Sequence, residues 1–238
     1  MLNNSSKSII ITRLNHTWYG RILKRFGKYI VSRDPFSTKL KIENKGSLRI
    51  KKEIIGKDNL LVIGKGACLD KVSIKIQGNN NVIHIGENTI IGSKCRLYLF
   101  GNNLELRIGN NCTFSHDDEI LVQEDNSKII IGNDCMFSHH INVRTSDAHP
   151  IFYTNTNERA NPAKNILIGN HVWVGAHVII QKGSIIGNNC VIATYSIVNH
   201  KIITSENHSK DLQNCHNCII AGMPAKVVKS GIDWKRSF

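Results

Sequence analysis

Residues 168–198 read IGNHVWVGAHVIIQKGSIIGNNCVIATYSIV. Ile168, Val174, Ile180, Ile186, Ile192 and Val198 stand six apart, and four places after each come Val172, Val178, Ser184, Cys190, Ser196 and Ile202, mostly small. Neither the period of a helix nor that of a plain strand gives this spacing. A six-residue side does: one branched aliphatic points inward, a small residue points inward at the corner, and Gly or Asn often takes the turn. Three sides close an 18-residue coil, and coils stack at about 4.8 Å, the strand-pairing distance. Each inward aliphatic is then buried only by the next coil, which is the logic of a solenoid.

Working outward, the same phrase recurs at Ile63-Gly64, Ile85-Gly86, Ile108-Gly109-Asn110, Ile131-Gly132-Asn133, Ile168-Gly169-Asn170 and Ile186-Gly187-Asn188, at intervals of 22, 23, 23, 37 and 18 residues. Coils of 23 are expected to be 18 residues plus five in a corner loop. The 37-residue interval holds a further excess between Val143 and Ile168, which predicts one long excursion, and that excursion carries His149. Long loops in compact domains tend to be functional. The chain divides into a basic capping segment over 1–40, a β-helix over 41–203 with a long candidate functional loop over 144–165, and a terminal loop and tail over 204–238. Trp18, Ile22, Leu23, Phe26, Tyr29 and Ile30 share one side at helical spacing, so residues 16–31 are expected to form a basic amphipathic helix.

The 238 residues carry a formal net charge of +13, and residues 1–60 hold ten of those thirteen charges. Such a segment suits an anionic partner, an acidic glycan or a membrane surface, or simply a well-hydrated end. No recognisable nucleic-acid module accompanies it, so nucleic acid is not an expected partner. Seven cysteines without secreted-scaffold spacing, and no apolar leader or 18-residue apolar run, point to free thiols in the cytoplasm. A single Cys215-His216-Asn217-Cys218 lacks the second pair that zinc spacing requires, and no metal is expected.

Several phrases resemble a known family. They are Arg144-Thr145-Ser146-Asp147-Ala148-His149-Pro150-Ile151, then Arg159, Ala163-Lys164-Asn165-Ile166, His171-Val172-Trp173-Val174-Gly175-Ala176 and Pro224-Ala225-Lys226. Together with the repeat over about 60–203, they are similar to the hexapeptide-repeat acyltransferases, in the branch that O-acetylates bacterial surface polysaccharides, including sialic acid polymers. The resemblance implies a mainly β chain folded as a left-handed parallel β-helix, a homotrimer with sites between subunits, acetyl-CoA as co-substrate and a carbohydrate acceptor. It implies His149 as general base, Trp173 as a wall of the active site, and Ala176, Thr194 and Lys226 as contacts of coenzyme A. Thr194 departs from the usual Ala or Gly, and Asn199-His200 stands where many members have Thr-Lys, leaving Lys201 or Lys182 as substitutes for the phosphate contact.

A sugar hydroxyl is a poor nucleophile near neutral pH. A neutral imidazole, titrating near 6.5, accepts its proton as the C–O bond forms, worth about 10²–10⁴ in rate. Asp147 either holds the imidazole tautomer or caps the loop. Arg144, Arg159 and Lys164 flank the loop and either recognise a carboxylated sugar or anchor the backbone. His139, His140, His171 and His177 fall at turn positions and read as solvent-facing or inter-coil residues. Two rival readings remain at this level. One is a zinc enzyme of the γ-type carbonic anhydrase kind, using His140, His171 and His177. The other is a non-catalytic β-helix scaffold.

Overall fold

A computed structural model describes residues 38–42, 47–199 and 216–237. The helix expected over 16–31, most of the terminal loop and Lys201 lie outside the described residues. Within them the regular structure is all strand, and no helix is long and apolar enough to cross a membrane. Strand pairing is parallel throughout, except for the closing pair Cys218–Gly222 with Ala225–Ser230.

The strands stack as three faces. Face one carries Asn59–Ile63, Val82–Ile85, Glu105–Ile108, Lys128–Ile131, Ile166–Ile168 and Ile185–Ile186 in ascending order. Face two carries Ile90–Ile91, Thr113–His116, Met136–His139, Trp173–Val174, Val191–Ile192 and Cys218–Gly222. Face three carries Arg96–Phe100, Glu119–Gln123, Asn142–Arg144, Ile179–Ile180 and Ile197–Val198. The long strand Cys68–Gln77 turns the corner between faces two and three and pairs with both. Corner one joins faces one and two, corner two joins faces two and three, and corner three joins faces three and one.

Strand alternation sends every second side chain inward. Ile168, Val174, Ile180, Ile186, Ile192 and Val198 are all at most 3% exposed, and the small corner residues Val172, Val178, Ser184, Cys190 and Ser196 are buried beneath them. Lower down the bore also admits aromatics, with Phe114 and Phe137 stacked at 4.3 Å. At corner one an asparagine ladder satisfies the turn amides. Asn110, Asn133 and Asn170 each accept, through Oδ1, the backbone N–H of the corner residue one coil below, at 2.7–2.8 Å.

The 23-residue coils differ from expectation. Their five additional residues do not form a corner loop. Faces three and one each gain an inward aliphatic, as in Leu97 with Leu99 and Leu106 with Ile108, where the upper coils have only Ile180 and Ile186. Each gain adds two residues, because only an even insertion keeps the following side chains pointing inward. Corner three takes the fifth residue. The prism is therefore wide below and narrow above, with a step at the level of residues 144–165.

Past the closing pair the chain doubles back as a strap along corner one. Ile232 donates its N–H to the Asn217 carbonyl at 2.9 Å. Trp234, 7% exposed, stacks on His171 at 4.1 Å and donates its indole N–H to the His171 carbonyl at 2.9 Å. Arg236 then reaches Asp134 and Thr113, both at 2.9 Å, and the carbonyls of Asn111 and Cys135 at 3.1 Å.

Asp118 is a buried exception in the bore. Its Oδ1 accepts the Ile141 N–H at 2.9 Å, and burial pushes its carboxyl up to about 7. Between the ordinary value of 3.8 and about 7 the folded chain holds a proton that the unfolded chain has released. This contribution to stability is complete below the lower value and is lost as pH rises through the upper one. Asp118→Asn should therefore raise the melting temperature at pH 8 and give no gain at pH 4. Equal gains at both pH values would show that this carboxyl ionises normally.

Candidate active site

The excursion over residues 145–165 leaves from the step at corner three. Its two ends are tied together by the Lys164 N–H donating to the Thr145 carbonyl at 3.0 Å, and Thr145 exchanges hydrogen bonds with the Gln123 backbone in the coil below. The wide lower coil leaves Glu124 uncovered there. Arg159 donates two nitrogens to its carboxylate at 2.6 and 2.7 Å, and the Ser146 hydroxyl donates to it as well. The Arg159 guanidinium, ahead of the Ser146 bond, holds the Glu124 carboxyl below its ordinary range despite partial burial. A small antiparallel bridge between Phe152 and Arg159 shapes the outer part of the loop, and Ile151, Phe152 and Tyr153 at its tip are all more than half exposed.

Asn161 organises the segment that carries His149. Its Oδ1 accepts the Ile151 N–H at 2.6 Å, while Nδ2 donates to the His149 carbonyl and to the Asp147 carboxylate, both at 2.9 Å. The Lys182 ammonium pairs with the same Asp147 carboxylate and reaches the Asn161 carbonyl at 3.0 Å. Lys182 foremost, then Asn161, holds the Asp147 carboxyl low against partial desolvation. In this chain Asp147 thus braces the loop rather than the His149 ring. His149 itself is exposed at the side of the prism, its backbone fixed.

The remaining sequence-derived residues lie apart. Trp173 is 39% exposed on the outside of face two, and its ring centre lies 6.0 Å from that of Trp234. Ala176 and Thr194 occupy corner two on successive coils, where the Tyr195 N–H donates to the Ala176 carbonyl at 3.0 Å. Lys226 is exposed on the closing strand. Arg144 ends its strand on face three, Arg159 is committed to Glu124, and Lys182 to Asp147. In a three-sided prism the corner bearing the loop faces away from face two. One chain therefore carries His149 and Trp173 on opposite sides.

Face two also presents an outward column of Ile90, Thr113, Met136, Trp173, Val191 and Ile219, in register from coil to coil. The three imidazoles of the carbonic anhydrase alternative do not converge. His140 and His177 pair at corner two with ring centres 4.9 Å apart. His171 sits at corner one, bonded to Asp134 at 2.6 Å and to the Trp234 carbonyl at 3.0 Å. Sequence reasoning missed Glu124, Asn161 and the strap. A Trp-Lys-Arg run at 234–236 in a chain with 6% aromatics was the available signal for the last of these.

Comparisons with known proteins agree with this architecture. Residues 165–200 match the family model described as bacterial transferase hexapeptide (six repeats). The crystal structure of the polysialic acid O-acetyltransferase OatWY is 30% identical, with a TM-score of 0.56, and the match covers 79% of this chain and 92% of that one. This chain belongs to the hexapeptide-repeat transferases.

The polySia specific acetyltransferase NeuO superimposes with a TM-score of 0.68 at 28% identity, over 84% of this chain and 83% of that one. The polysialic acid O-acetyltransferase of Neisseria meningitidis is 34% identical over 131 residues, which is 55% of this chain and 59% of that protein. The polysialic acid O-acetyltransferase of Escherichia coli O1:K1 / APEC is 37% identical over 95 residues, 40% of this chain and 27% of that protein. The matched stretches thus span less than two thirds of either curated relative.

The brace within the hexapeptide-repeat transferase's loop is testable. Asn161→Ala removes three hydrogen bonds from a nearly buried side chain, a local cost of about 1–3 kcal/mol. Limited proteolysis of residues 150–160 should accelerate by about tenfold while the melting temperature of the prism changes little, because the loop opens independently of the coils. An unchanged cleavage rate would show that other contacts hold the loop.

Proposed function

We propose that this protein is an O-acetyltransferase that moves the acetyl group of acetyl-CoA onto a hydroxyl of an acidic bacterial surface carbohydrate. The observation that carries this reading is a braced loop holding an exposed imidazole, on a prism whose 28–30% identical structural relatives are named for acetylating polysialic acid. The winding is left-handed, as the family resemblance implies.

The opposed positions of His149 and Trp173 favour a site assembled from two copies, the loop of one meeting face two of the next. Two apolar surfaces support that meeting: the tip Ile151, Phe152 and Tyr153, and the outward column around Trp173. A closed ring of three copies satisfies every such pair, since a head-to-tail contact must close to avoid a filament. The pantetheine arm lies along corner two, at Ala176 and Thr194, with Lys226 near the phosphates.

In that setting the acceptor hydroxyl oxygen attacks the thioester carbonyl while its proton passes to the His149 imidazole. The tetrahedral centre collapses with loss of the coenzyme A thiolate, which takes the proton back from the imidazolium. No covalent enzyme intermediate is needed. The indole N–H of Trp173 donates to the developing oxyanion. Arg144 supplies a cation for a carboxylate elsewhere along the acceptor chain. The reaction belongs to the cytoplasm, and the basic first sixty residues bring the enzyme to anionic glycan or membrane surfaces.

His149→Ala should lower acetyl transfer by at least about 10²-fold with the oligomer intact, measured as thiol release from acetyl-CoA in the presence of sialic acid polymers. Near-normal turnover would remove His149 as the base. The shared site has its own test. His149→Ala and Trp173→Ala chains, each inactive alone, should regain part of wild-type activity when co-expressed, because mixed trimers contain sites with both residues intact. No recovery, in mixed oligomers verified by mass, would mean that each site lies within one chain.

A further inference from the structure

The corners of this prism follow different rules. Left-handed backbone positions are filled mainly by short polar residues at corner one (Asn88, Asn111, Asp134, Asn189), with His171 under the strap as the exception, and at corner three (Asn80, Asn103, Asn126). Asn and Asp tolerate that conformation because their side chains bond locally, whereas larger side chains are disfavoured there. At corner two Lys71, Lys94 and Asp117 hold such positions in the lower coils, and the upper coils place the rings of His140, His177 and Tyr195 there, with φ of 55°, 59° and 60°. A local preference broken in three successive coils marks a functional site more readily than a packing need.

The three rings form a column. His140 and His177 lie 4.9 Å apart between centres, and His177 and Tyr195 stack at 4.6 Å with planes only 2° apart. The column is one wall of an open depression of about 610 Å³ on face three, which Arg144 and Gln181 also line. The step in the prism creates this basin. Arg144 pairs with Leu121 below, whereas pairing with the coil above stops at Val143. The Arg144 Nε donates to the Asn142 side chain at 2.6 Å, its two terminal nitrogens make no hydrogen bond among the described residues, and its charge helps hold the Asp147 carboxyl low. Asp147 at the rim is already paired with Lys182.

A planar cation with a free fork matches a carboxylate. Tyr195, 57% exposed at the upper end of the column, suits the apolar face of a sugar, and the Gln181 amide offers a donor and an acceptor to hydroxyls. We propose that the basin is a second acidic-sugar subsite, which holds a carboxylated residue of the acceptor chain some units away from the one that is acetylated. The subsite rests on the acetyl-transfer reading for its role but not for its binding.

The test uses the full chain without acetyl-CoA, titrated with sialic acid as monomer and as hexamer, for wild type, Tyr195→Asn and Arg144→Gln. Asparagine suits the left-handed corner, so Tyr195→Asn should keep or raise the melting temperature. Hexamer affinity should fall about tenfold in each variant, with monomer affinity much less affected. In transfer assays the KM for hexamer should rise while the KM for acetyl-CoA stays constant in Tyr195→Asn. Unchanged hexamer affinity, or a lower melting temperature with affinity retained, would reduce the ring column to packing and overturn the proposal. A rise confined to the acetyl-CoA KM would assign the basin to the donor and overturn it equally. Hexamer bound through the basin by a protein that acetylates no glycan would sink the transfer reading and leave the subsite standing.

Discussion

Stacking of one coil on the next is the constraint from which the rest of this molecule follows. An inward isoleucine here is covered by the aliphatics directly above and below it, and the backbone amides of each coil bond to carbonyls of its neighbours. No coil is stable alone, and none touches a coil two levels away through the bore. Surface residues therefore sit at a fixed address, given by level and side. Trp173, Ala176 and Thr194 hold their spacing because the register beneath them is set by Val174 and Ile192.

The change from wide to narrow coils is the second organising feature. It is built from added pairs of residues that preserve the inward alternation, and it leaves a ledge at one level only. The loop is anchored on that ledge through Glu124, and the basin beside Arg144 opens where the upper face falls short. Loop and basin thus share one cause. A prism of uniform width would cover both Glu124 and Arg144 with another strand.

The sequence made the stacked-coil architecture plain wherever the repeat is six residues long, since no other regular structure places Ile168, Val174 and Ile180 in line. It misled about the wider coils, because two more alternating residues in a strand and five residues in a loop lengthen the interval equally. The loop was legible from one long interval, and its histidine from the phrase around it. The bonds that shape the loop were not, because Asn161 and Glu124 act through contacts 10 to 39 residues apart that no local pattern announces. The opposition of His149 and Trp173 emerged only when levels and sides could be counted in space. The strap has no periodicity at all, and Trp234 acquires meaning only against His171.

That strap changes how the stack comes apart. A linear array loses structure from its free ends, one layer at a time, at little cost per layer. Here a single run of chain is fastened at Asn217 near the top, at His171 in the middle, and at Asn111 well below. Peeling the uppermost layer strains a tether whose far end is still held by Arg236. The upper coils, Trp173 among them, consequently open together or not at all. The end of the array that would otherwise fray first becomes its most cooperative part.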